Sequence, residues 1–87
     1  MMQQEVTVTK KEGVLNKDAA ALVQRAMRYD SEIYIEQGTR RVNCKSIMGV
    51  LSLGLKHGGK LTIIAAGKDD KEAVADLVRL VGNGFVI

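Results

Sequence analysis

Ser46 is the residue of this 87-residue chain best placed to do chemistry. It stands in Val42-Asn43-Cys44-Lys45-Ser46-Ile47-Met48-Gly49-Val50-Leu51-Ser52-Leu53-Gly54, between a short extended run and a helical one without a charge. As a helix N-cap its hydroxyl satisfies a free backbone N–H, worth about 1 kcal/mol. The same hydroxyl is a phosphorylation candidate. A phosphate adds a charge of about −2 beside the positive end of the helix dipole, and Lys45 is adjacent to pair with it. The two roles are compatible. The helix then carries Ile47, Met48, Val50, Leu51, Leu53 and Leu55. With Val50 and Leu53 turned to a sheet, Ile47, Met48 and Leu51 form an outer edge. An exposed apolar edge marks a docking surface; burial of all of them in the core is the alternative reading.

Other groups offer less. His57 is the only histidine. It lies in the loop His57-Gly58-Gly59, far along the chain from Gly13, with no third group to make it catalytic, and reads as a solvated loop residue. The single cysteine, Cys44, rules out a disulfide framework and a cysteine-based zinc site and suits a reducing, cytoplasmic setting. No metal or cofactor is expected. The net charge of +3 comes from scattered lysines and arginines, and one Phe and two Tyr make no platform for stacking bases, so direct nucleic-acid binding is not expected. No apolar run is long enough to span a bilayer, and the first residues show no leader-like apolar stretch.

Periodicity supplies the elements that must hold these residues. Glu5 to Thr9 alternates, with Val6 and Val8 on one side, as a half-buried strand. Asn16 stands where an N-cap belongs, with Asp18 in the first turn, and Ala19, Leu22, Val23, Ala26 and Met27 predict an amphipathic helix from Lys17 to Tyr29. Ile33 and Ile35 alternate with polar neighbours in a second strand. Gly38-Thr39 is a tight turn into a third strand, Arg41 to Asn43. The helix opened by Ser46 is expected to reach Leu55. Lys60 to Ala66 is a fourth strand with Leu61, Ile63 and Ala65 inward. Asp69 and Glu72 form a capping box for a last helix, whose stripe is Ala73, Val74, Leu77, Leu80 and Val81 and whose C′ residue is Gly82. The order β-α-β-β-α-β-α, over residues 1–87 as one domain, predicts an α+β open-faced β-sandwich: a four-stranded antiparallel sheet with three helices on one face.

This order, with Val42-Asn43-x-Lys45-Ser46-Ile47-Met48-Gly49-Val50 at its centre, resembles the HPr family, the small phosphocarriers of the bacterial sugar phosphotransferase system. Tyr29-Asp30 and Ser52-Leu53-Gly54 match as well, and the likeness covers nearly the whole chain. Ser46 falls on the serine that a regulatory kinase phosphorylates in the Gram-positive branch. The family's other signature, Gly-Ile/Leu-His-Ala-Arg-Pro-Ala, reads here Gly13-Val14-Leu15-Asn16-Lys17-Asp18-Ala19. Leu15 stands on the phosphoacceptor histidine, Lys17 on the arginine and Asp18 on the proline. Leucine has no nucleophilic atom, and lysine lacks the planar fork that grips phosphate bidentately. Asp18 puts a carboxylate where a helix start would attract an anion; it repels a phosphate or substitutes for one.

The resemblance therefore implies a non-enzymatic regulatory protein, similar to the catabolite-repression HPr-like group that also lacks this histidine. Its expected partners are the serine kinase/phosphorylase of the family, a LacI-type catabolite repressor and enzymes of the transport system, met through Lys17, Lys45, Ile47, Met48 and Leu51. Two rivals stand beside it. One is a phosphocarrier using another acceptor, with His57 as the only imidazole. The other is a degenerate binding module that keeps only the apolar edge, pairing with its own copy or another partner, as monomer or homodimer.

Overall fold

The structure, a computed structural model that describes residues 1–86, runs β1 (Met2–Thr7), α1 (Asn16–Ala26), β2 (Glu32–Gln37), β3 (Arg40–Asn43), α2 (Ile47–Ser52), β4 (Lys60–Ala66) and α3 (Asp70–Gly82). The strands form one antiparallel sheet in the order β1-β4-β2-β3. Alternation along β2 and β4 sends Ile33, Ile35, Leu61, Ile63 and Ala65 to the face that meets the helices. Ala19, Leu22 and Ala26 of α1, Val50 of α2 and Ala73, Leu77 and Val81 of α3 close over them in one core. The expected fold class is observed.

The element ends differ from the sequence reading in informative ways. β1 starts at Met2 rather than Glu5, because β4 pairs along its whole length from Met2↔Ala65 to Thr7↔Lys60. Val8 lies beyond the strand but is fully buried, and it exchanges hydrogen bonds with Gly58 and Gly59. α1 ends at Ala26, not Tyr29, with Met27 as its C-cap. α2 stops at Ser52 instead of reaching Leu55: Gly54 takes φ +58 and turns the chain, which lets Leu53 and Leu55 both reach the core. α3 includes Gly82; the left-handed residue that follows it is Gly84, at φ +77.

The capping box expected from Asp69 and Glu72 is absent. Asp69 is the N-cap of α3, but its side chain makes no cap bond. Its carboxylate instead accepts the backbone N–H groups of Asp30 (2.8 Å) and Ser31 (3.0 Å) and the hydroxyl of buried Ser31. The Ser31 hydroxyl, then these backbone donors, hold the Asp69 carboxyl below its ordinary range. The acid ties the entry of β2 to the entry of α3, a long-range task that outcompetes the local one.

Candidate functional site

β3 ends at Asn43, whose side-chain oxygen accepts the Lys45 N–H at 2.8 Å and whose carbonyl accepts the Ser46 N–H at 3.1 Å. This turn delivers Ser46 to the front of α2 in extended conformation. Its Oγ accepts the Gly49 N–H at 3.1 Å, and its carbonyl accepts the Val50 N–H at 3.0 Å, so Ser46 is the N-cap that the sequence suggests. Gly49 makes room for this: a Cβ there would lie 3.3 Å from Ser46 Oγ and 3.4 Å from the Asn43 carbonyl. The first turn of α2 has no acidic residue, so nothing on the helix opposes a negative charge at its start.

The other end of α2 is held from outside. Arg40 donates to the Ser52 carbonyl (2.8 Å) and to Ser52 Oγ (3.1 Å), and Ser52 Oγ donates to the Gly49 carbonyl at 2.6 Å. A cation on the last carbonyls suits the negative end of the helix. The sequence reading missed Arg40, since no periodicity links a strand arginine to a helix end twelve residues later.

α2 buries Val50, with Leu53 just beyond its end. Ile47 is 44% exposed and Met48 79%, so the expected outer edge exists; Leu51 is half-buried and packs against the core, so it only borders that edge. Lys45 does not lie free beside Ser46. Its Nζ donates to the Tyr29 carbonyl at 2.7 Å, which ties the end of α1 to the start of α2.

The second region lies at the start of α1. The N-cap is Leu15, not Asn16, and it has no cap side chain to offer. Asp18, at the third helical position, compensates by accepting the Leu15 N–H at 2.9 Å. Leu15 is 42% exposed, and Lys17 is exposed. Asp18 is buried and accepts Lys10 Nζ at 2.6 Å. Nothing in the sequence pattern pairs Lys10 with Asp18.

His57 is exposed. Distance along the chain misleads about its position: the Val14 N–H donates to the Leu55 carbonyl at 3.0 Å, and a Cβ on Gly13 would lie 3.6 Å from the His57 nitrogen. The loop before α1 and the loop after α2 are thus packed backbone to backbone. Among the described residues no cluster of His, Cys, Asp and Glu could hold a metal ion, and no helix is long and apolar enough to cross a membrane.

The four-stranded antiparallel sheet with three helices on one face thus presents a capped serine at the start of a short apolar helix. The family described as PTS HPr component phosphorylation site matches residues 2–83, and the chain belongs to this family, HPr. The HPr-like protein Crh of Bacillus subtilis is 42% identical over 81 residues, covering 93% of this chain and 95% of its own. The crystal structure of HPr-C-His from Thermoanaerobacter tengcongensis superposes with a TM-score of 0.93 at 36% identity, over 98% of this chain and 96% of that one. A crystal structure of Bacillus subtilis Crh, a catabolite repression containing protein seen there as a swapping-domain dimer, gives a TM-score of 0.79 at 39% identity over 100% of both chains.

Proposed function

We propose that this HPr-family chain is a cytoplasmic regulatory protein, phosphorylated on Ser46 and acting in carbon catabolite control, rather than a histidine phosphocarrier. The observation that carries the reading is the half-buried Ser46 cap standing directly before the exposed Ile47 and Met48 of the first turn of α2. A phosphate on Ser46 sits at the positive end of α2 and changes the charge of a docking edge without unfolding it. The serine kinase/phosphorylase of the family installs and removes the group, and a LacI-type repressor reads it together with Ile47, Met48, Leu51, Lys17 and Lys45. Enzymes of the transport system meet the same face.

Leu15, placed at the family's phosphohistidine position, supports the reading by its chemistry, because it has no atom that attacks phosphorus. The likeness to Crh points the same way. Incubation with an HPr kinase and ATP, followed by peptide mass spectrometry, tests the proposal: phosphate on Ser46 is expected, and its absence there, with phosphate elsewhere or nowhere, rejects it. Light scattering with size-exclusion chromatography reports whether the chain pairs with its own copy, as the Crh crystal structure shows for that relative.

One observation favours a second reading. The backbone of the loop carrying His57 packs on Gly13, in the loop that leads into α1, so the only histidine belongs to a segment next to that loop. Phosphoenolpyruvate with the first enzyme of the system separates the two: the regulatory reading expects no acid-labile label, and a label lost in His57→Ala establishes the carrier.

A further inference from the structure

Asp18 is the one buried carboxylate among the described residues, 4% exposed. Its Oδ2 accepts both the Leu15 N–H at 2.9 Å and Lys10 Nζ at 2.6 Å. Lys10 is itself withdrawn from water, with 17% of its side chain exposed. The pair lies at a cleft of about 350 Å³ lined by Lys10, Lys17, Asp18, Ala21, Gly84 and Phe85. Phe85 is the only non-glycine with positive φ among the described residues (φ +66), and its N–H is held by the Leu80 carbonyl at 2.8 Å. Phe85 is buried and forms part of the wall of the cleft.

Two lysines, a backbone N–H and the positive end of α1 therefore converge where one negative charge is already built in. A carboxylate oxygen and an oxyanion oxygen accept the same donors. An external phosphate reaching this cleft meets like charge from Asp18, and to take its place it must part a buried pair, which leaves a charge uncompensated.

We infer that the Lys10–Asp18 ion pair is an autoinhibitory contact, in which the chain's own carboxylate holds the start of α1 closed to external oxyanions. The inference rests on the reading above, in which no phosphoryl group is carried at the start of α1, and gives it a cause beyond the missing nucleophile: the ground on which a phosphate would rest is already occupied.

Inorganic phosphate is the probe. Backbone amide shifts of residues 15–18 are followed by NMR as phosphate is added to the wild type, to Asp18→Asn and to the double variant Lys10→Gln/Asp18→Asn, at constant ionic strength. Asparagine keeps an oxygen for the Leu15 N–H and removes the charge. The wild type is expected to show no saturable shift, Asp18→Asn to bind phosphate at least about tenfold more tightly, and the double variant to lose that gain. Saturable binding by the wild type at these amides, as tight as that of the variant, overturns the inference. So does a folded Asp18→Asn protein that gains nothing. Asp18→Ser, which also retains an acceptor, serves if the asparagine variant does not fold. Ser46 plays no part in the titration, so failure of kinase labelling and failure of this lock give separate results.

Discussion

The hydroxyl of Tyr29 donates to Asp76 Oδ2 at 2.5 Å and so joins the segment after α1 to the middle of α3. Arg25 completes the link from the last turn of α1, donating to Asp76 Oδ1 at 2.6 Å. Desolvation works to raise the Asp76 carboxyl, but the Tyr29 hydroxyl and the Arg25 guanidinium outweigh it and hold the group below its ordinary range. Tyr29 is pushed the other way, to about 12, by burial first and then by its bond to Asp76.

These shifts set a pH window. A carboxyl lowered in the folded state contributes stability above its unfolded value, near 4, and loses it as pH falls through the folded value. A phenol raised in the folded state contributes below its unfolded value, near 10, and loses it as pH rises through about 12. Stability from this network should be level between these limits and fall on both sides. Urea unfolding from pH 2 to 11 tests it, with Asp76→Asn expected to flatten the acid slope. Tyr29→Phe should cost about 1.5–3 kcal/mol at pH 7, the range for a hydrogen bond to a charged group.

Ser46→Ala should destabilise the protein by about 1 kcal/mol, because the Gly49 N–H loses its acceptor. Ser46→Asp restores a side-chain oxygen at the cap and should recover most of that loss. Denaturant midpoints of the three proteins, at equal slope, are the measurement.

Met48→Ala and Ile47→Ala should each change stability by less than about 0.5 kcal/mol, as surface substitutions do. Val50→Ala, on the buried side of the same short helix, should cost about 2 kcal/mol. Under the proposed function, the first two should weaken capture of a LacI-type repressor by the Ser46-phosphorylated chain, measured by calorimetry, while thermal unfolding shows the fold intact. Equal losses of stability at all three positions would mean that the outer edge is core.

Two glycines should respond unequally to alanine. Gly13 has φ +77, and a Cβ there would lie 2.7 Å from the Leu55 carbonyl oxygen; Gly38 has φ +60 and open space around it. Gly38→Ala should cost about 1 kcal/mol, the penalty of the left-handed backbone alone. Gly13→Ala should cost clearly more, since it also pries the two loops apart. Circular dichroism melts of both variants decide the order.

Cys44 should resist thiol reagents while the chain is folded. Burial pushes the thiol up to about 12, against a smaller opposing pull from Lys45, so the reactive thiolate is scarce. Reaction with a disulfide reagent at pH 8 should be slow in buffer and complete once urea unfolds the chain.

The fold was legible wherever apolar spacing is local and regular. The alternation of Ile33 and Ile35, and of Leu61, Ile63 and Ala65, marks strands because each sheet face asks for every second residue. Ser46 was legible because a cap and its helix are neighbours in the chain. What stayed hidden was polar and distant. Asp69 looked like a box partner for Glu72, yet it serves Asp30 and Ser31. Asp18 read as a first-turn acid at the start of α1, yet it is also buried against Lys10. His57 looked remote from Gly13, because a sequence displays separation and conceals the packing of loops. In each case the deciding partner lies outside the window in which periodicity operates.

The strand order β1-β4-β2-β3 also governs how the chain must assemble. The β2–β3 hairpin closes over a two-residue turn and forms from neighbours, but β1 has no sheet partner until β4 exists. During synthesis the first strand therefore waits, unpaired, for nearly two thirds of the chain to follow it. Its pairing with β4 is the most non-local strand pairing in the sheet, and such contacts slow folding because the long intervening loop must be closed first. The hairpin is thus the natural seed, and β4 is the strand whose arrival turns a seed and a loose end into a sheet.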